Sequence, residues 1–188
     1  PTVLPADRLA ELVRAARSGG SPLEVTVEAN PESAAADTLD ALAEAGATRL
    51  SVGVQTLEAS AAAALGRRLA SPAELETIRR RWPGSLGADL IHGAPGSSTR
   101  GTLDAIDALV DLGVDHLSVY TLSVEEGTPL ARSASRGEVR IPAPDADWSR
   151  IVDAIEGRGL RRYEVSNFAV PGRECRHNEG YWHGADYL

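Results

Sequence analysis

Two hydrophobic periods alternate along the chain, one helical and one of strand type. Leu9, Leu12 and Val13 fall at helical spacing and predict a helix within Pro1–Gly20, capped at Asp7 and stopped by Gly19 and Gly20. Leu23–Glu28 alternates and is β-branched, which predicts a strand closed by Asn30-Pro31. A second helix is expected over Ser33–Ala45, with Leu39 and Leu42 inside and Gly46 as its stop, followed by a strand over Arg49–Gln55. Alanine-rich helical material runs to Leu69, and Ser71-Pro72 opens a further helix through Arg81. The run Leu86–Gly96 reads as a buried strand ending in a Gly/Pro turn. Thr99 or Thr102 then starts a helix with Leu103, Ile106, Leu109 and Val110 on one face. His116–Leu122 is another strand, and Glu125–Pro144 is loop-rich with room for a short helix. Asp145–Glu156 is expected to be helical and Arg161–Phe168 a last strand, while Val170–Leu188 shows no clear periodicity.

This alternation argues for parallel βα units with right-handed crossovers. A complete (β/α)₈ barrel takes roughly 250 residues, and the chain has 188. The expected fold is therefore α/β, a partial (β/α) barrel or a doubly wound sheet. In both, ligands sit at the C-terminal ends of the strands, where Glu28, Gln55, Asp89 and Thr121 are expected to fall. Residues 1–126 are expected to form the barrel core. Residues 127–188 would supply the last helix and strand and a C-terminal segment.

Composition narrows the picture. Hydrophobic residues make up 43% and charged residues 24%, ordinary values for a globular protein. No apolar run is long enough to span a bilayer, so no transmembrane segment is expected. The net charge is −8 and every one of the 19 cationic residues is arginine. An acidic chain without a basic run is a poor nucleic-acid binder. The single cysteine, Cys175, excludes an internal disulfide and points to a reducing cytoplasm. The chain opens on Pro1 and has no methionine, so it is expected to be a piece of a longer protein.

Asp89 is the sharpest candidate for chemistry. A lone carboxylate in an apolar strand is costly unless something hydrogen-bonds or pairs with it, so it borrows a donor from its neighbours, pairs with an arginine, or meets a ligand. Glu28 stands at a strand end, as a loop carboxylate or as a ligand contact. Gln55 ends a strand whose Gly53 admits close approach, and it either satisfies loop carbonyls or touches a ligand. Arg67 follows Gly66 near a helix end, where a solvated cation is the default. Together an acid, an amide, an arginine and an acid on one rim suit a small zwitterion bearing a ribose. The tail holds a second cluster, His177, Asn178, Tyr181 and Trp182, near Cys175. Its spacing fits no standard zinc pattern. It reads either as a packed turn or as an imidazole with aromatic neighbours of the kind that ligates haem. His92 and His116 carry no assigned role, and no P-loop, Rossmann glycine fingerprint or G-x-S-x-G elbow is present.

Several stretches in order resemble a known family. Glu24-Val-Thr-Val-Glu-Ala-Asn-Pro31, Arg49-Leu-Ser-Val-Gly-Val-Gln55, Leu65-Gly-Arg67, Asp89-Leu-Ile-His-Gly93 and His116-Leu-Ser-Val-Tyr120 are similar to the radical S-adenosylmethionine (SAM) proteins related to oxygen-independent coproporphyrinogen III oxidase. Tyr163-Glu-Val-Ser-Asn-Phe-Ala169 followed by His177-Asn-x-x-Tyr-Trp182 resembles the HemW branch, the haem chaperones. The resemblance implies an incomplete barrel with a C-terminal extension. It implies that Glu28 and Arg67 hold the methionyl part of SAM, that Gln55 and Asp89 hold its ribose, and that His177, Asn178, Tyr181 and Trp182 bind haem. It further implies a [4Fe–4S] cluster on three cysteines upstream of Pro1, and in the oxidases a deoxyadenosyl radical that leads to propionate decarboxylation. Haem and haem-accepting proteins are the implied partners, with a homodimer as a candidate assembly. Branch members commonly carry a histidine soon after the Gly-Arg, where this chain reads Arg67-Arg68-Leu69. The expected function is haem binding and delivery, with coproporphyrinogen oxidation as the alternative; a chain without the cysteine motif should not do radical chemistry alone.

Overall fold

A computed structural model describes residues 2, 4–20, 24–142 and 147–185. Its elements are α1 (Ala6–Ser18), β1 (Thr26–Ala29), a 3₁₀ turn (Pro31–Ser33), α2 (Ala36–Ala45), β2 (Arg49–Gln55), α3 (Ala59–Ala64), α4 (Pro72–Arg81) and β3 (Ser85–His92). After these come α5 (Thr99–Asp111), β4 (His116–Thr121), α6 (Pro129–Ser135), α7 (Trp148–Gly157), β5 (Arg161–Arg162), β6 (Asn167–Ala169) and α8 (Arg176–Trp182). They build one six-stranded sheet in the order β1-β2-β3-β4-β6-β5. The pairs β1–β2, β2–β3 and β3–β4 are parallel, and each crossover carries a helix, as right-handed βαβ units require. The pairs β4–β6 and β6–β5 are antiparallel.

Each strand splits by side-chain parity. Leu50, Val52 and Val54 of β2, Leu86, Ala88 and Leu90 of β3, and Leu117 and Val119 of β4 are buried. They form one core with Leu39 and Leu42 of α2, Leu75 and Ile78 of α4, Ile106 and Leu109 of α5, and Ile151 and Ile155 of α7. Removing one such leucine to alanine costs about 2–5 kcal/mol. The alternate residues, Ser51, Gly87, Asp89, Ser118 and Tyr120, face the other way and line a cavity. One face of the sheet is thus the core and the other is polar.

Local chemistry sets the element ends. Ser71 and Glu74 close a capping box at the start of α4, and Ser98 caps α5 by accepting from the Gly101 amide at 2.9 Å. Gly46 ends α2 in the left-handed region at φ 98°.

Several expected elements differ. Pro5, not Asp7, precedes α1, and Leu12 of its expected stripe is 59% exposed. The helix expected from Ser33 breaks into a 3₁₀ turn and α2, and the alanine-rich helix ends at Ala64 rather than running on to Leu69. The strand expected over Arg161–Phe168 is two short strands. The chain reverses between them, because Arg162 donates to the Glu164 and Val165 carbonyls while the Glu164 carboxylate accepts the Ser166 amide. The aperiodic tail contains α8. The expected starting points at Pro1, Leu23 and Asp145 and the ends at Pro144 and Leu188 lie outside the described residues.

Candidate functional site

The polar face of the sheet and the α8 segment enclose a cavity of about 1160 Å³. Glu28, Gln55 and Asp89 line it from the strands, and His177 and Asn178 line it from α8. Two of the groups singled out from the sequence therefore meet in one space. Arg67 does not join them. It follows Gly66 in an exposed turn after α3, where its amide donates to the Ala62 carbonyl at 2.8 Å. Tyr181 and Trp182 line an adjoining cavity of about 230 Å³ with Tyr120, Glu164, Ser166, Asn167, His177 and Asn178. Thr121 ends β4 but lies outside both linings.

Asp89 sits in mid-strand, in register with Gly53 and Ser118, rather than at the strand end. The Ser51 hydroxyl lies 3.1 Å from each of its carboxylate oxygens. Burial pushes the Asp89 carboxyl above its ordinary range and the charge of Glu28 adds to this, while the Ser118 and Ser51 hydroxyls pull the other way. The alternative of an arginine partner does not arise, since two serines from the flanking strands serve it.

Gln55 stands at φ 65°, the one non-glycine at positive φ among the described residues. Such a conformation costs free energy and collects at functional positions. The β2–β3 register slips between Gly53 and Gln55, and the Gln55 amide nitrogen folds back over Gly53. A Cβ at Gly53 would stand 2.7 Å from that nitrogen. Gly53 thus admits the Gln55 side chain itself.

At the other end of the cavity a buried ion pair joins Arg49 and Glu24, at 2.8 Å with only 6% and 12% of the side chains exposed. Burial alone would push the Glu24 carboxyl up. The Arg49 guanidinium, the Cys175 thiol and the Arg176 amide instead hold it below its ordinary value. Arg49 also donates to the Arg173 and Glu174 carbonyls at 2.8 and 2.9 Å, which ties the approach to α8 to the head of β2. The Cys175 thiol donates to Glu24 Oε1 at 3.4 Å, and burial pushes it up.

The reading of the sequence missed His116 and Tyr163. His116, at the head of β4, is buried and sits 2.7 Å from the Tyr163 hydroxyl. That hydroxyl also accepts from the Cys175 amide at 3.3 Å and from Asn178 Nδ2 at 3.1 Å. Burial and then the charge of Arg49 bring His116 down to about 4, and burial pushes Tyr163 up to about 12. Both are therefore neutral at pH 7. The available signal was the placement of His116 at the head of an apolar strand, where burial disfavours the charged imidazole.

His177 is exposed at the start of α8, and Tyr181 and Trp182 are 57% and 59% exposed. Their rings meet edge to face, with centroids 5.9 Å apart and planes at 89°. Among the described residues no group of three or more His, Cys, Asp or Glu side chains is placed to hold a metal ion. No described helix is long and apolar enough to cross a membrane.

A parallel-rich sheet, a helix-covered face and a polar face under a C-terminal segment define a partial (β/α) barrel of the radical SAM type. The structure superposes on coproporphyrinogen III oxidase from Escherichia coli with a TM-score of 0.74 and 23% identity, over 98% of this chain and 44% of that one. In sequence the chain is 40% identical to the heme chaperone HemW of Mycobacterium tuberculosis over 197 aligned residues, all of this chain and 50% of that protein. It is 38% identical to the mitochondrial radical S-adenosyl methionine domain-containing protein 1 of Bos taurus, over 88% of this chain and 39% of that one. In sequence and in fold the chain is similar to a segment of the HemW/HemN-like radical SAM proteins. It spans about half the length of the curated relatives it matches. No family model matches it.

Proposed function

We propose that this chain supplies the SAM-facing and haem-facing surface of a radical SAM haem chaperone, which binds haem and passes it to haem-requiring proteins in the cytoplasm. The observation that carries the proposal is the shared cavity: Glu28, Gln55 and Asp89 open on the same space as His177 and Asn178. The donor set fits SAM. Carboxylates at Glu28 and Asp89 suit an ammonium and ribose hydroxyls, and the Gln55 amide can donate and accept. Arg67 enters this reading only through the family resemblance, since its side chain lies apart from the cavity lining. The tail fits haem, because His177 offers an imidazole beside the aromatic faces of Tyr181, Trp182 and Tyr120.

When bound, SAM and a [4Fe–4S] cluster supply one-electron chemistry. The cluster's cysteines would come from outside these 188 residues, whose one thiol is committed to Glu24. The residues here bind and orient: Asp89 and Gln55 set the position of a ribose, and α8 sets that of a porphyrin.

Two variants in the cluster-reconstituted full-length protein test this. Asp89→Asn is expected to weaken SAM binding by about tenfold, the loss of one charge-assisted contact, with haem binding retained. His177→Ala is expected to abolish or shift the Soret band with SAM affinity retained. Unchanged SAM affinity in the first, or an unchanged haem spectrum in the second, would remove that residue from its site.

A further inference from the structure

Of the Tyr163–Ala169 motif, Glu164, Ser166 and Asn167 line the cavity beside Tyr181 and Trp182, while Tyr163 has no role in the SAM or haem contacts above. From the structure we infer that Tyr163 is a positioning residue for the haem-binding helix, its hydroxyl fixing α8 to strand β4 through His116. The inference rests on the haem reading of His177, Asn178, Tyr181 and Trp182.

The argument begins with proton counting. A phenolic hydroxyl has one hydrogen to donate and lone pairs to accept. The Cys175 amide and Asn178 Nδ2 can only donate, and both point at the Tyr163 oxygen, at 3.3 and 3.1 Å. The one proton of Tyr163 is thereby left for His116 Nε2 at 2.7 Å. His116 must then be the neutral tautomer with its hydrogen on Nδ1 and its lone pair on Nε2. All the hydrogen-bonding capacity of the hydroxyl is used. The direction of each bond follows from the chemistry of the partners.

The mechanical consequence falls on α8. Seven residues long and with none of them buried, this helix docks without a buried apolar stripe, and isolated helices of that length are unstable in water. Its hold on the barrel is polar. Arg49 holds the Arg173 and Glu174 carbonyls just before it, and Tyr163 holds the amide of its N-cap residue and the side chain of its third residue. Asn178 is next to His177, and Tyr181 lies one turn further on. Pinning Cys175 and Asn178 therefore fixes where an imidazole and an aromatic pair stand relative to Tyr120. The edge-to-face contact of His116 and Tyr163, with centroids 5.7 Å apart, fixes the phenol ring in turn.

The test is made in the cluster-reconstituted full-length protein titrated with haem. Tyr163→Phe keeps the ring and deletes the three bonds. It is expected to raise the haem dissociation constant by roughly three- to tenfold and to shift the Soret maximum, with SAM affinity at the wild-type level. His116→Gln presents an amide oxygen near the Nε2 position, keeps an acceptor for the Tyr163 proton, and is expected to bind haem as the wild type does. His116→Leu removes the acceptor and is expected to shift the Soret band as Tyr163→Phe does. A merely structural tyrosine would lower the melting temperature without moving the spectrum of the haem that binds. If Tyr163→Phe binds haem with wild-type affinity and spectrum while Asn178→Ala does not, the inference is wrong and the haem reading stands. If the wild type binds no haem, or His177→Ala and Asn178→Ala bind it as the wild type does, the haem reading fails. The bond itself is then decided by ¹⁵N chemical shifts of His116: a lone pair on Nε2 upholds it, and a hydrogen there overturns it. Should Tyr163→Phe not fold, the contrast between His116→Gln and His116→Leu gives the same decision.

Discussion

At the scale of single residues, burial on the polar face of the sheet holds Asp89 and His116 away from their ordinary protonation. His116 gives the sharpest consequence. Unfolded, it takes up a proton near 6.5; folded, only near about 4. Between these values the unfolded chain binds more protons, so stability rises with pH across the window. This contribution is fully present above about 6.5 and lost as pH falls toward about 4, with an upper bound of roughly 3 kcal/mol. Urea midpoints of the full-length protein are therefore expected to drop between pH 7.5 and pH 5, and to drop less in His116→Gln; equal drops would show that another group carries the dependence. The same scale shows what the sequence could convey. Asp89 was legible because an apolar run surrounds it, but its partners Ser51 and Ser118 come from neighbouring strands, and no local pattern couples them. Arg49 and Glu24 were equally hidden, since their ion pair joins positions 25 residues apart and closes only when β1 and β2 align.

At the scale of elements, legibility followed apolar periodicity. Of the helices that pack on the core, α2 and α5 carry the leucine and isoleucine positions that the spacing marked, because burial drives both pattern and fold. The proline and serine at the head of α4 marked its start correctly, and the structure adds the reason: Ser71 and Glu74 exchange cap bonds, and Arg68 grips the Glu74 carboxylate at 2.6 Å. That grip, with the Ser71 amide and hydroxyl, brings the Glu74 carboxyl down to about 2. Ser71→Ala is expected to destabilise the protein by about 1 kcal/mol, the usual worth of an N-cap. A change within about 0.5 kcal/mol, the usual range for surface sites without such a feature, would show that the cap is redundant with Pro72. Elements held by polar bonds were not legible. The reversal at Tyr163–Ser166 depends on Arg162 reaching two carbonyls, and α8 depends on Arg49 and Tyr163; neither leaves a hydrophobic period to read.

At the scale of the whole molecule, the sheet divides into an apolar and a polar face, and the proposed function places both ligands on the polar one. The core on the helix side supplies the stability, which leaves the other face free for carboxylates, amides and imidazoles that a core could not hold unpaired. The parallel strands bring Glu28, Gln55 and Asp89 onto one surface. The antiparallel return through β6 then brings the tail back across it. Asp89 and His177 lie far apart in the sequence, and the β4–β6 pairing together with the Arg49 and Tyr163 bonds to the α8 segment brings them to one cavity. The fold resembles an oxidase while the sequence relatives carry the name of a chaperone, so activity is the point to decide. The most direct measurement is anaerobic incubation of the cluster-reconstituted full-length protein with coproporphyrinogen III, SAM and a reductant, alongside a haem titration of the same sample. Stable haem binding without formation of protoporphyrinogen is the expected result. Conversion of coproporphyrinogen III to protoporphyrinogen would contradict haem delivery as the function and make this surface an oxidase active site.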